Sequence, residues 1–429
     1  MSLLAGLAML APPVHAVTIE SWARHDPLRL AFAQVDLTPP EPLPLGGYTE
    51  RRGVLAIPGG DALMARIVVL RSGPEAIAWV TVECLTIPEG FAQAVQSRLP
   101  PGVCLSLNAT HTHCAPDSQM LNSRMTLSIP GIASYRPRWL NWFADRVARG
   151  VQRTLALPGI LAGNLDATTV SAMFNRGRRP GAVPPREAIA ITSAQVDGAV
   201  VSFYTAHPTL FDEKERCAQG DWPGVVLRRT PGVVLNGPLG DVSPTTDDAP
   251  NTPAAVRARR IGEFVAQISR GRRKSKRVYE PGDAVTWTRL VSPTPAPMPH
   301  PEFAKANGIP PSLAQGLVAK FAPATRTATV VTLGRLAIVG ISAEPSSVIG
   351  RRIKAVGEKL GFSPVLVVSH THGWAGYVLD RDDYRRGGYE ATLSFFGEGD
   401  GDAWVKLAAD ALAQTRQAKN NPPGGISGG

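Results

Sequence analysis

The sequence predicts an α/β fold, with mixed sheets and flanking helices gathered into a single large domain. Three observations lead there. Strand-length apolar runs alternate with amphipathic stretches, but without the strict βαβ rhythm of a nucleotide-binding sheet, and no GxGxxG follows a strand. No convincing linker interrupts the chain between residues 27 and 418. No apolar run reaches the ~18–20 residues that a membrane-spanning helix needs. The 429 residues are 44% hydrophobic, enough for a substantial core, and Gly 42 with Pro 39 promise many turns. No period of roughly 20–50 residues is visible. The reading is an N-terminal segment over 1–26, one domain over 27–418 and a loose tail over 419–429.

The elements follow in order. LRLAFAQVD (28–36) reads as a strand, stopped by Thr38-Pro39-Pro40. Strand-like runs cover 65–71 and 76–82, and an amphipathic stretch covers 89–98. A short apolar strand, 103–108, then runs directly into Thr110-His111-Thr112-His113. Residues 137–156 have helical periodicity, with Trp139, Phe143, Val147 and Val151 on one face. Strands are expected at 188–194, 197–204, 232–235, 283–290, 327–332, 335–341 and 364–368. Helices are expected at 253–269, 346–359 and 402–416.

The chain has eight histidines, and four of them fall in two His-Thr-His triplets, His111/His113 and His370/His372. Residues i and i+2 of a strand share a face, so such a triplet can turn two imidazoles toward one ion. A catalytic zinc takes about three or four protein ligands, combining a short spacer with distant residues. The distant candidates are His207 and Glu344, each where an apolar strand runs out into a Pro-containing turn. A second motif, Gly240-Asp241-Val242-Ser243-Pro244, describes a tight turn with a serine beside a carboxylate. On its own it reads as an Asx or ST turn.

These residues together resemble the neutral, non-lysosomal ceramidase family, in its N-terminal catalytic domain. The matching pieces occur in order: Val35-Asp36-Leu37-Thr38-Pro39-Pro40 with Gly47-Tyr48, Asn108 to His113 with Pro116, and Asn175-Arg176. Ala206-His207, the Gly240–Pro244 turn, Glu344, Tyr377-Val378, Tyr384 and Tyr389-Glu390 follow. The resemblance implies a zinc-dependent hydrolase of the amide bond in an N-acylated amine, ceramide-like or smaller. It implies Zn2+ held by His111, His207, Glu344 and Tyr377, the last as fourth ligand or as donor to the developing oxyanion. It places His113 and Arg176 beside the scissile bond and makes Ser243 the serine of the site. His113 would move a proton to the leaving amine, and Arg176 would orient substrate or stabilise negative charge. Ser243 is read as a positioning group in preference to a nucleophile, because no histidine–carboxylate pair can be assigned to it.

Several stretches depart from the family pattern. Cys114-Ala115-Pro116-Asp117 follow the histidines where the family has Ser-Gly-Pro-Gly, and Ala343-Glu344-Pro345 replace Gly-Glu-Phe. Gly177-Arg178 follow Asn-Arg in place of Ser-Pro. The chain is also shorter than a full ceramidase, without room for its C-terminal immunoglobulin-like domain. His370 and His372 stay open between a second metal site, a pocket lining and loop histidines bonded to backbone. Cys114 is read as a small buried residue in preference to a ligand, and Glu83 as a partner to a metal histidine.

The formal net charge is +10, and Arg270, Arg272, Arg273, Lys274, Lys276 and Arg277 supply a local excess. That run reads as a solvated loop, or as a peripheral contact with an anionic membrane surface. No aromatic residue interleaves it, so no nucleic-acid partner is expected. Four cysteines without a CxxC are too few for a disulfide scaffold. The opening MSLLAGLAMLAPPVHA resembles a signal peptide lacking its charged n-region, which favours export over the cytoplasm. Two other functions compete with zinc amide hydrolysis: a different metallohydrolase on an amidohydrolase barrel, and a non-catalytic polyanion- or membrane-binding relative.

Overall fold

Strands with apolar residues at every position need cover on both faces, and this chain supplies it three times over. In the strand Glu75–Val82, Ala76, Ala78, Val80 and Val82 point to one core, while Ile77 and Trp79 point to another. The strand Leu336–Ile341 divides the same way, with Leu336 and Ile338 inward and Ala337, Val339 and Ile341 outward. The structure, a computed structural model, describes residues 18–249, 251–270 and 275–420.

Three five-stranded sheets form. The first orders Val103–Ala109, Glu75–Val82, Met64–Ser72, Arg29–Asp36 and Ile160–Leu161. The second orders Val233–Asn236, Ala199–Tyr204, Glu187–Ser193, Leu165–Ser171 and Ser275–Tyr279. The third orders Val365–Val368, Leu336–Ile341, Thr325–Leu333, Val285–Pro293 and Thr18–Arg24. In each, three consecutive strands make an antiparallel meander, and a helical crossover returns the chain parallel to the third. A second helix follows each parallel strand. The repeated unit is therefore β-β-β-α-β-α, starting near residues 29, 165 and 285.

The inner faces of all three sheets meet in one central core that includes Trp22, Trp79, Phe203, Trp287 and Leu333. The outer faces are closed by helix pairs: Glu89–Gln96 with Pro137–Leu155, Asp221–Leu227 with Ala254–Gln267, and Ser347–Lys359 with Asp400–Asn420. Each fully buried large apolar side chain contributes on the order of 1.5–3 kcal/mol. The sheets are open, and among the described residues none closes into a barrel, so the amidohydrolase-barrel alternative is not this fold.

Some expectations change. The strand Thr18–Arg24, inside the stretch read as a preceding segment, pairs with Val291 to Val285 as an edge of the third sheet. The strand Leu165–Ser171 and the short helices Pro301–Ala306 and Pro311–Val318 were not expected. Part of the basic run is a strand, where Arg277 pairs with Asp166 (2.7 Å) and Glu280 (3.0 Å). The leader-like residues up to 17, Arg272, Arg273 and Lys274 of the basic run, and the tail from 421 lie outside the described residues. No helix among the described residues is long and apolar enough to cross a membrane.

Candidate active site

The parallel strand pairs all end on one place. Val103–Ala109 hands over to His111, Ala199–Tyr204 to His207, Leu336–Ile341 to Glu344, and Val365–Val368 to His370. Backbone hydrogen bonds stitch these ends together: His111 N to Cys84 O (3.0 Å), His207 N to Val242 O (3.0 Å), and His370 N to Ala343 O (3.1 Å). His111, His370 and His372 adopt φ of 68°, 54° and 63°. Such left-handed backbone at a non-glycine residue costs about 1–3 kcal/mol and persists where its surroundings over-determine it.

Glu344 is the hub. Its Oε2 lies 3.4 Å from His207 Nε2 and 3.6 Å from His111 Nε2. A tetrahedral zinc with bonds of ~2.1 Å spaces its ligand atoms roughly 3.4 Å apart. His111 Nδ1 lies 2.7 Å from Leu85 O, and His207 Nδ1 lies 2.7 Å from Leu239 O. A carbonyl only accepts, so both Nδ1 atoms carry the proton and both Nε2 atoms offer a lone pair. Oε2 of Glu344 is buried with no hydrogen-bond partner among the described residues, whereas Oε1 accepts from Trp374 Nε1 (2.6 Å). Two aimed lone pairs and an orphaned carboxylate oxygen make a donor set that fits a metal ion.

The electrostatics agree. Burial pushes His111 down and, with Arg178 nearby, lowers His207 to about 4. Burial likewise holds His113 and His370 well below the usual imidazole range. Burial opposes ionisation of Glu344, and it takes positive charge beside the carboxylate, at the position of His111 first, to hold its carboxyl below the usual range. Burial and then Glu344 push the Tyr377 phenol well up, so it keeps its proton as a donor. Neutral imidazoles, one anionic carboxylate and a protonated phenol compose a cation site with a hydrogen-bond donor beside it.

A cavity of about 430 Å³ opens onto His111, His113, Glu344 and Tyr377. Its walls are mostly apolar, with Met125, Ile129, Phe303, Leu317, Phe321 and Phe395 among them. They come from the segments 118–135, 300–322 and 374–396, which are inserted between the repeated elements. Gly47, at φ 96°, lets the backbone press against His113; a Cβ there would fall 2.7 Å from that ring.

Of the expected residues, His111, His207, Glu344 and Tyr377 come together, with Tyr377 Oη 3.3 Å from His207 Nε2. His113 joins them, its Nε2 3.4 Å from that of His111. Ser243 and Arg176 face each other across a two-stranded ribbon (Asn175–Gly177 with Val242–Pro244) and do not line the cavity. Arg176 is exposed, and no hydrogen bond joins the Ser243 hydroxyl to a histidine among the described residues. Asp241 instead accepts from Ser347 N (2.6 Å) and Ser347 Oγ (2.9 Å), anchoring the start of a helix. The two triplets part company: His370 belongs to the cluster, and His372 Nε2 lies 2.6 Å from Leu105 O. Cys114 receives Arg51 Nη2 at 3.1 Å, and Glu83 is bonded to Arg228 and Met64 N, away from the histidines.

Sequence reading missed Arg178 and Trp374. Arg178 donates to Gly240 O (2.5 Å), pairs with Glu390 (3.2 Å) and lies close enough to Tyr377 and Glu344 to act on both electrostatically. It lies two residues beyond the expected Arg176, and the Gly-Arg departure from the family pattern was the available signal. Trp374 is two residues past the second triplet, in a loop with no periodicity to read.

No protein-family model matches the chain, and no curated protein matches it. Solved structures do, two of them ceramidases. A neutral ceramidase from Pseudomonas aeruginosa aligns with TM-score 0.73 at 19% identity, over 94% of this chain and 76% of its own. A ceramidase complexed with C2 aligns with TM-score 0.73 at 18% identity, over 94% and 77%. At that identity the likeness is one of architecture: this chain has the fold of the neutral ceramidases.

Proposed function

We propose that the chain hydrolyses the amide bond of an N-acylated amine, with zinc held by His111, His207 and Glu344. One observation carries the reading: a mostly apolar cavity ends on a buried cluster whose Nε2 lone pairs and orphaned Glu344 Oε2 converge. The two structural neighbours are ceramidases, which points to the same reaction class. A bound zinc would supply Lewis acidity and a water whose pKa is lowered to about 7.

The chain's own residues do the rest. The cavity takes the acyl chain and excludes water from around the carbonyl. Tyr377, kept protonated by burial and Glu344, donates a hydrogen bond to the carbonyl oxygen as charge develops there. His113, neutral beside the cluster, takes the proton of the attacking water and delivers it to the leaving amine. Trp374 fixes one oxygen of Glu344 so that the other faces His111 and His207. Ser243 acts by position, in the turn whose Leu239 and Val242 carbonyls orient His207. Arg176, exposed on the ribbon, is left for the polar end of the substrate.

The test is metal content by mass spectrometry on purified wild type and Glu344→Ala, paired with hydrolysis of N-acyl amides of rising chain length. About one zinc per chain, lost together with activity in Glu344→Ala, is expected. Wild type that stays metal-free and inactive after dialysis against zinc overturns the reading.

A further inference from the structure

His370 is a fifth imidazole-or-carboxylate neighbour of the cluster that the zinc ligand set above does not use. We propose that it is a ligand of the same ion, making the donor set three histidines and one glutamate, with Tyr377 left outside it as a hydrogen-bond donor. The inference rests on the metal reading of the site.

The first argument is hydrogen bonding. The His370 side chain is fully buried, and neither Nδ1 nor Nε2 has a hydrogen-bond partner among the described residues. Burying a polar ring with both nitrogens unmet costs about 1–3 kcal/mol for each group left unsatisfied. Its Nε2 faces Glu344 Oε1 at 3.7 Å, and its ring stacks on that of His111 with centroids 4.1 Å apart. The companion His372 shows what a structural histidine does here: it finds a backbone carbonyl. An ion shared with His111 and Glu344 would engage the Nε2 of His370, which no protein group among the described residues does.

Architecture gives an independent argument. His111 and His370 occupy the same place in two of the three repeated units, just beyond the strand that follows the helical crossover. The local sequences echo one another, Leu107-Asn-Ala-Thr-His-Thr-His113 against Leu366-Val-Val-Ser-His-Thr-His372. Both histidines have positive φ, and His370 O accepts from Ala109 N across the junction (3.3 Å). His207 and Glu344 are equally matched, each three residues past the third strand of its unit. If His111 aims its Nε2 at the ion, the equivalent backbone around the central junction directs His370 to the same point.

The experiment uses the purified full chain loaded with cobalt(II) or zinc. His370→Ala is expected to weaken zinc binding by more than ~100-fold, beyond the usual range for a residue that only supports a ligand. His370→Cys, loaded with cobalt, is expected to show a thiolate-to-cobalt charge-transfer band absent from wild type. His372→Ala should keep wild-type stoichiometry. Circular dichroism establishes folding, and the cysteine variant carries the test if the alanine variant does not fold. A folded, cobalt-loaded His370→Cys without that band overturns the proposal, even where His370→Ala binds less zinc, because a prop would do the same. Wild type that takes up no metal fails the metal reading itself, whereas wild-type binding lost in Glu344→Ala but kept in His370→Ala fails this inference alone.

Discussion

Glu83 shows how one buried carboxyl shapes the pH response without touching the site. Its ordinary value is 4.5, and burial, only partly offset by Arg228, raises it to about 7. The folded chain thus binds this proton more tightly than the unfolded chain. The stabilisation it gives is complete below pH 4.5 and is lost as pH rises through 7. Glu83→Gln removes that dependence. Between pH 4.5 and 8, urea denaturation should show wild type losing on the order of 3 kcal/mol relative to Glu83→Gln. A constant difference across that range would refute the assignment. At this scale the sequence was informative where chemistry is rare: eight histidines and a strand-end glutamate are few enough to single out. It could not tell Arg176 from Arg178, because two residues of the same type on one short ribbon differ only in which way the chain leaves it.

The elements were legible wherever both faces of a strand or one face of a helix are buried. The strands over 65–71, 76–82 and 335–341 and the helix over 137–156 emerge within a residue or two of expectation. Leu165–Ser171 escaped because an aspartate, two threonines and a serine dilute its apolar alternation. Thr18–Arg24 escaped because three of its first residues are exposed on a sheet edge. The contact of the helix Pro137–Leu155 with the first sheet offers an element-scale test. Gly150 lets the helix close down, and a Cβ there would fall 2.4 Å from Val35 Cγ2 and 2.7 Å from Ile67 Cδ1. Gly150→Ala should therefore lower unfolding free energy by about 1–3 kcal/mol, despite alanine's better helix propensity. Stabilisation in a thermal melt would show that the helix has slack.

Across the whole molecule, the α/β class and the undivided domain were readable, but the threefold recurrence was not. Its unit exceeds a hundred residues, and the insertions that wall the cavity differ from unit to unit. Short traces of it survive in sequence, the two His-Thr-His triplets and the pair Ala206-His207-Pro208 and Ala343-Glu344-Pro345. The recurrence also assigns a job to the N-terminal strand. The first and second units are each flanked by a strand that comes after their last helix, Ile160–Leu161 and Ser275–Tyr279, while the third receives Thr18–Arg24 from the opposite end of the chain. Removing residues through Arg24 uncovers Val285–Pro293 and takes Trp22 out of the central core. That truncation should lower the melting temperature by several degrees, while one that stops at residue 17 should not. Equal melting temperatures would mean that the strand is ornamental.

Because His111, His207 and Glu344 come from three different units, no contiguous third of the chain owns the centre. During synthesis the cluster stays incomplete until the last unit has left the ribosome and docked on the other two. If the proposed zinc binds there, its capture would be a late event, one that reports the docking of all three units rather than the folding of any part. On that same proposal, a nick between units is expected to release the zinc before it erases the secondary structure.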